Sequence, residues 1–298
     1  MLNPEVRSSL EHKVIRPYVL NESGSNKVFN SNEGLDEEYF DHLEFPISKF
    51  WFKYFADKIS ILPPDNYGKA LDICCGTGTV CLNIMAEGLF SQCEAIDIAE
   101  PAIIVLNKRI DREKIDNLSA FCSNIMKTKY ANESFDCVFG NSFLHHLPDN
   151  ESFLKEAFRI LKKGGTICFT SEPTPSGAFL EGFFSSNLLK FLQFLKLKPK
   201  PSQVKPNLSD IWLYEKEPLE LMLKQVGFET VKIKGFGFLT PLFNIPSTII
   251  FQKISKKSMQ PDWWWNVFTS LDKLLFFWLP TNAYSHVTIC ARKPNDHM

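Results

Sequence analysis

No run of eighteen residues in this sequence is both apolar and free of charge. The nearest, Trp263 to Leu279, carries Asp272 and Lys273 in its middle, so a membrane-crossing helix is not expected. The first residues, Met1-Leu2-Asn3-Pro4-Glu5-Val6-Arg7, contain no apolar core of the kind a secretory leader needs. Charge of one sign is also missing: 33 Lys and Arg stand against 34 Asp and Glu, a formal net charge of -1. Nothing in that balance attracts nucleic acid, so no nucleic-acid partner is expected. The eight cysteines lack the paired C-x2-C spacing of a zinc site, and Cys74 beside Cys75 is a poor arrangement for a structural disulfide. Most sit next to residues such as Ile73, Val80, Ile167 and Ile289, where Cys behaves as a small buried hydrophobe. A reducing, cytoplasmic compartment is the expectation.

What is present is a globular composition: 44% apolar, 13% aromatic and 22% charged residues, which excludes a disordered or collagen-like chain. At 298 residues the chain holds two domains or one large α/β domain with insertions. Residues 1–35 are polar and turn-rich, and from Leu35 to Ile61 aromatics recur at helical spacing with Phe50, Tyr54 and Phe55 on one side. We read 1–61 as an N-terminal arm and lid helix ahead of the main domain, 62–298. From Lys69 to Thr170 short apolar runs alternate with amphipathic stretches. Strands are expected at Ala70–Cys74, Cys93–Asp97, Ser119–Cys122, Phe135–Gly140 and Thr166–Thr170, with helices near Val80–Glu87, Pro101–Arg112 and Ser152–Lys162. That rhythm specifies βαβ units and a parallel sheet. It breaks after Pro173, returns as a helix (Pro218–Val226) and a strand (Thr230–Ile233), breaks again, and closes on a strand at His286–Ala291. The two breaks, about 174–215 and 237–283, read as cap insertions.

The informative segment is Ala70-Leu71-Asp72-Ile73-Cys74-Cys75-Gly76-Thr77-Gly78-Thr79, an apolar strand entering a Gly-x-Gly turn that opens a helix. Glycine lets the backbone approach a ligand, and the helix start offers unpaired N–H groups. As a dinucleotide fingerprint the segment fails at its third glycine, where Cys81 stands, and no Gly-Lys-Ser/Thr follows to make a phosphate loop. Asp97, 25 residues past Asp72, ends the second strand, where an acid accepts both ribose hydroxyls of a nucleoside. The alternative for Asp97 is a helix N-cap ahead of Pro101. Cys122-Ser123-Asn124-Ile125 follows the third strand, Asn141-Ser142-Phe143-Leu144-His145-His146 follows the fourth, and Lys162-Lys163-Gly164-Gly165 ends a helix ahead of the fifth.

In this order and spacing the five motifs resemble the class I S-adenosylmethionine (SAM)-dependent methyltransferases, especially the small-molecule branch that includes quinone and natural-product enzymes. The resemblance covers about 69–173 and resumes loosely at 216–236 and 284–293. It implies a Rossmann-like, doubly wound α/β fold, a seven-stranded sheet whose last strand is antiparallel, with a helical cap. It implies SAM as cofactor, cradled at Cys74, Gly76 and Gly78, with Asp72 helping to position the amino-acid end and Asp97 on the ribose. Asn124 matches the residue that reads the adenine amino group, Ile98 and Ile125 would sandwich the ring, and Asn141 joins the cofactor set. Cys74 departs from the family, where many relatives carry glycine. Ser142 and His145 stand where metal-dependent quinone enzymes carry carboxylates, so no metal is expected.

Methyl transfer from a sulfonium needs mainly positioning, with nucleophile and methyl carbon aligned at about 3–3.5 Å, and a hydroxyl nucleophile also needs a base. His145 is the candidate facing the acceptor and His146 the packed neighbour, with Glu172 a second candidate base and both histidines as packing residues the alternative. The expected reaction is methylation, at oxygen, of a small apolar or lipid-like acceptor. A non-catalytic SAM-binding protein and an RNA or protein methyltransferase are the competing readings. Between Lys190 and Lys257 stand 12 Lys against 5 acids, beside a Phe- and Leu-rich stretch and the Trp263–Trp265 cluster. Such a face either packs inward over the sheet edge or makes peripheral membrane contact.

Overall fold

A computed structural model describes residues 47, 49, 52, 53, 55, 56, 68–147, 149–177, 213–237, 271 and 279–295. Most of the expected arm and lid helix, and most of both cap insertions, lie outside the described residues.

Seven strands form one sheet: β1 (Lys69–Ile73), β2 (Gln92–Asp97), β3 (Leu118–Cys122), β4 (Phe135–Asn141), β5 (Leu161–Pro173), β6 (Glu229–Phe236) and β7 (His286–Arg292). Their spatial order is β3-β2-β1-β4-β5-β7-β6. β1 pairs parallel with β2 and β4, β2 with β3, and β4 with β5, whereas β7 runs antiparallel to both β5 and β6. The expected architecture, with an antiparallel last strand, is the one observed. β5 is longer than the pattern implied. It starts at Leu161, directly after the preceding helix, and a bulge near Phe135/Cys137 absorbs Lys163-Gly164-Gly165.

Among the described residues, four helices with complete bounds cover both faces: α1 (Thr79–Ala86), α2 (Glu100–Glu113), α3 (Asn150–Ile160) and α4 (Lys216–Val226). Each has a local reason to begin or end. Pro101 opens α2, where its missing N–H costs nothing. Asp149 accepts a hydrogen bond from the Ser152 amide at 3.0 Å and caps α3, while Gly227, at φ 115°, ends α4. One face of the sheet (Leu71, Ile73, Val138, Ile167, Phe169, Ile289) buries against α3 and α4. The other (Ala70, Cys93, Cys137, Cys168, Cys290) buries against α1, α2 and Phe55. Six of the eight cysteines are buried on that second face as free thiols.

Strand order reverses between β1 and β4. In an open α/β sheet that reversal opens a crevice at the carboxyl ends of the strands, the ligand-binding edge of such folds.

Candidate active site

Everything gathered at that edge follows from where β1, β2, β4 and β5 end. After β1 the chain turns at Cys75–Gly78, closed by the Gly78 amide donating to the Cys75 carbonyl at 2.9 Å. Three residues here are left-handed: Cys74 at φ 50°, Gly76 at 52° and Gly78 at 83°. Left-handed backbone explains why relatives favour glycine at the position of Cys74, since a Cβ there is strained by about 1–2 kcal/mol. At Gly78 a side chain is impossible for a second reason: a Cβ would lie 2.3 Å from Leu106. At Gly76 it would meet nothing within 4 Å. Open space over bare, left-handed backbone is a cradle for a ligand, and it passes the test that the implied cofactor sets for this loop.

Two carboxylates hold the loop, Asp72 buried and Asp97 half-buried. Asp97 accepts from the Gly76 amide at 2.9 Å with one oxygen and from the Ala99 amide at 2.9 Å with the other. It starts α2 as an acceptor for Ala99, while Ala99 itself occupies the N-cap position, so the residue serves loop and helix together. Each oxygen keeps a further lone pair that a ribose hydroxyl could use. Asp72, 1% exposed, accepts from the Cys81 amide at 3.2 Å and satisfies the start of α1, which has no side-chain cap of its own. Burial pushes the Asp72 carboxyl up to about 8, against the pull of its Cys81 hydrogen bonds. Burial likewise raises Asp97, opposed by the Ala99 and Gly76 amides. The Cys74 thiol is driven well above its ordinary range by burial and then by Asp97, so it stays neutral.

Beyond β2 and β3, Asn124 is exposed and its carboxamide oxygen accepts from the Met126 amide at 2.8 Å, which leaves the amino group turned outward. Ile98 is half-buried nearby. Ile125, expected to share a sandwich with it, is 6% exposed and belongs to the main apolar cluster.

The ends of β4 and β5 carry the rest. Asn141 is fixed through its carbonyl oxygen, which accepts from Thr170 Oγ1 at 2.8 Å and Ser171 Oγ at 2.7 Å. The next residues, Ser142 (φ 56°) and Ser171 (φ 63°), are both left-handed without being glycine. Of six such residues among those described, Cys74 and Ser142 directly follow β1 and β4, and Ser171 lies at the irregularity near the carboxyl end of β5, all at one edge; strain of this kind collects at functional sites. Glu172 is fully buried, and its two oxygens take four donors. Oε1 accepts from the Phe143 and Leu144 amides, both at 3.1 Å, and Oε2 from the His145 amide at 3.1 Å. The fourth is the His145 ring, whose Nδ1 lies 2.7 Å from Oε2.

The sequence reading places His145 toward the acceptor and His146 in the packing. By burial the order is reversed: His145 is 4% exposed and held by Glu172, while His146 is half-buried against it at 3.9 Å between ring centroids. Burial, and next the neighbouring His145, lower His146 to about 3, so it is a neutral ring. Among the described residues no group of three His, Cys, Asp or Glu is placed to hold a metal ion.

With this geometry in view, the comparisons with known proteins are specific. Residues 71–169 match the methyltransferase domain family described as Methyltransf_11. A demethylmenaquinone methyltransferase of Alkalihalophilus pseudofirmus is 30% identical over 208 residues, 65% of this chain and 83% of that protein. The chain is a SAM-dependent methyltransferase of the quinone-type branch. A second relative of the same name, from Bacillus mycoides, is 28% identical over 233 residues, 74% of this methyltransferase and 94% of the relative. Among solved structures, the Haemonchus contortus phosphoethanolamine N-methyltransferase 2 in complex with SAM superposes with a TM-score of 0.58 at 16% identity. That match covers 93% of this chain, which spans only 61% of the worm enzyme. A Haloferax volcanii complex of a putative methyltransferase with the Trm112 activator gives 0.55 at 12% identity, over 93% and 99% of the two chains. At these identities the structural neighbours speak for the fold alone.

One participant escaped the sequence reading. Arg109 of α2, 2% exposed, donates from Nη1 to the Thr77 carbonyl of the glycine loop at 2.6 Å. The signal was available, because Arg109 falls on the buried stripe Ala102, Ile103, Val105, Leu106, Ile110 of an amphipathic helix. A lone charge on such a stripe has a partner to meet.

Proposed function

We propose that this methyltransferase methylates a lipid-like hydroxyaromatic acceptor of the quinol class, with the His145 imidazole as general base. The observation that carries the reading is the His145–Glu172 pair at 2.7 Å, set where β4 and β5 end. Glu172 is a poor candidate for the base itself, since four donors already occupy its two oxygens. Its part is to position. A carboxylate at Nδ1 selects the tautomer with the proton on that nitrogen and leaves Nε2 as the lone-pair acceptor. Nε2 then takes the proton of an acceptor hydroxyl as the methyl arrives, a contribution of about 10²–10⁴-fold where such a base operates. The neutral His146 ring beside it adds no competing charge.

SAM supplies, when bound, an electrophilic methyl group on a sulfonium. On this chain Gly76 and Gly78 give it bare backbone, Asp97 takes the ribose hydroxyls, Asn124 the adenine amino group, and Asn141 faces it from β4. Asp72 and Cys74 shape the loop from beneath. A cationic cofactor also gains from the carboxylates concentrated at this end.

The acceptor class rests on the relatives, whose name specifies a quinone substrate. Once reduced, such a ring offers two nucleophiles to one base: the hydroxyl oxygen, which the sequence reading favours, and the ring carbon beside it. The relatives' name favours the carbon. The Lys-rich stretch and the Trp263–Trp265 cluster, outside the described residues, suit delivery of such an acceptor from a membrane surface; no described helix is long and apolar enough to cross one.

The test is to incubate the purified protein with trideuteromethyl-SAM and a short-chain 1,4-naphthohydroquinone. The reading requires a product heavier by one labelled methyl, and carbon-13 NMR separates O-methyl from C-methyl. No labelled product, with S-adenosylhomocysteine released only when cell lysate is added, would overturn the acceptor class. Vesicle co-sedimentation with anionic and neutral lipid, at low and at about 0.5 M salt, checks the membrane reading.

A further inference from the structure

The glycine loop is held by two acids, yet the tightest hydrogen bond to it comes from a cation. Arg109 heads the fully buried side chains by volume at 2% exposure, and burying a guanidinium is costly unless its donors are used. Nη1 uses one on the carbonyl of Thr77, itself 5% exposed, at 2.6 Å. Thr77 is the residue between Gly76 and Gly78, both left-handed. Glycine gains its reach from conformational freedom, so a loop with two of them has to be immobilised from outside if it is to hold one shape. The Asp97 carboxylate fixes the amide of Gly76 on one side of the turn, and Arg109 fixes the carbonyl of Thr77 on the other. The helix carrying Arg109 also brings Leu106 to where a Gly78 side chain would stand, so α2 meets the loop at two consecutive residues, Thr77 and Gly78.

We propose that Arg109 is a positioning residue for the cofactor. It holds the Thr77 carbonyl turned into the protein, so that Gly76 and Gly78 present their main chain to SAM in a preset conformation. A preset loop adds affinity by sparing the ligand the ordering cost. Because the effect passes through backbone shape, it is blind to the charge on sulfur: cationic SAM and neutral S-adenosylhomocysteine gain alike.

The experiment is isothermal calorimetry on Arg109→Met, which keeps length and loses the donors, and on Arg109→Lys, with each ligand in turn. Charge-assisted hydrogen bonds of this kind correspond to roughly 10- to 150-fold in an equilibrium constant. Arg109→Met should weaken both ligands by about 10-fold or more and by the same factor, while kcat at saturating SAM stays within about twofold, and Arg109→Lys should recover part of the loss. A folded Arg109→Met protein with unchanged affinity for both ligands, and only a lower Tm, makes Arg109 a packing residue and overturns the proposal. A loss confined to one of the two ligands overturns it as well, since it reports charge instead of shape. If Arg109→Met does not fold, Arg109→Lys decides alone: a parallel loss of threefold or more supports the proposal, and none defeats it. The calorimetric readouts, which decide the proposal, need no acceptor, so they stand apart from the quinol reading.

Discussion

The carboxyl edge of this sheet has two halves that solve different problems with different materials. On the β1–β2 side the proposed cofactor cradle is mostly main chain, with Asp97 the acid that both shapes it and takes the ribose. Gly76 and Gly78 carry no side chain, and the acids Asp97 and Asp72 act on backbone amides at 2.9 and 3.2 Å. On the β4–β5 side the reactive group is a side chain, and the main chain serves it: three consecutive amides, of Phe143, Leu144 and His145, converge on Glu172, which in turn fixes the His145 ring. Backbone recognition suits a cofactor shared by a whole family, because it depends on chain path. Side-chain chemistry suits an acceptor that differs between branches. The two halves should therefore fail separately: damage on the first side lowers SAM affinity at constant turnover, and damage on the second lowers turnover at constant SAM affinity.

The largest expected effect lies on the acceptor side. His145→Gln keeps a donor for Glu172 and removes the base, so kcat should fall about 10²–10⁴-fold while the SAM dissociation constant moves less than twofold. A fall of under threefold, measured once a substrate is in hand, returns the step to proximity alone. On the cofactor side, Asp97→Ala removes acceptors worth about 1.5–3 kcal/mol and should weaken SAM roughly 10- to 150-fold. Unchanged calorimetric affinity in a folded Asp97→Ala protein breaks the comparison at its first half. Glu172→Gln tests how the second half is built. Loss of the carboxylate that orients a histidine costs about 10–100-fold behind a metal-binding ring and up to about 10⁴-fold behind a general base, and Gln turns an amino group toward amides that need acceptors. Both kcat and Tm should drop, with SAM affinity retained; a normal kcat in Glu172→Gln leaves the carboxylate as a structural clip.

The difference between the halves also explains what the sequence disclosed. Chain path is written in local patterns. Alternating apolar runs give the strands, Gly76-Thr77-Gly78 gives the turn, and Asp97 sits at a fixed distance from Asp72 along the βαβ unit. The end of β5 was less legible. Glu172 could be named as an acid after an apolar run, but its engagement depends on the amides of a loop 27 to 29 residues away. Motif position puts His145 toward the acceptor and His146 in the packing; in the structure His145 is the more buried ring, bonded to Glu172 across the sheet edge. Ile125 reads as a ligand-facing residue from its motif position, yet at 6% exposure it belongs to the main apolar cluster. Arg109 was visible only as an anomaly in a helical stripe.

The last effect, and the sharpest test of how the cofactor half is held, is the pH dependence of stability. Asp72 is raised from 3.8 to about 8 because burial disfavours its charged form more than the Cys81 bonds favour it. Between those values the native state binds a proton that the unfolded chain has released, so unfolding free energy falls as pH rises. The contribution is fully present below about pH 4, is lost progressively up to about pH 8, and is flat beyond. Its slope is at most about 1.4 kcal/mol per pH unit, and Asp97, shifted the same way, adds to it in the same direction. Asp72→Asn keeps an oxygen for the Cys81 amide and cannot ionise. Urea unfolding of both proteins without SAM, at unit steps from pH 5 to pH 9, should give curves that diverge as pH rises, with Asp72→Asn the more stable above neutrality. The difference should stop growing near pH 8. Parallel curves mean that Asp72 ionises at its ordinary pKa, and the start of α1 is then held by a charged acid instead of a neutral one.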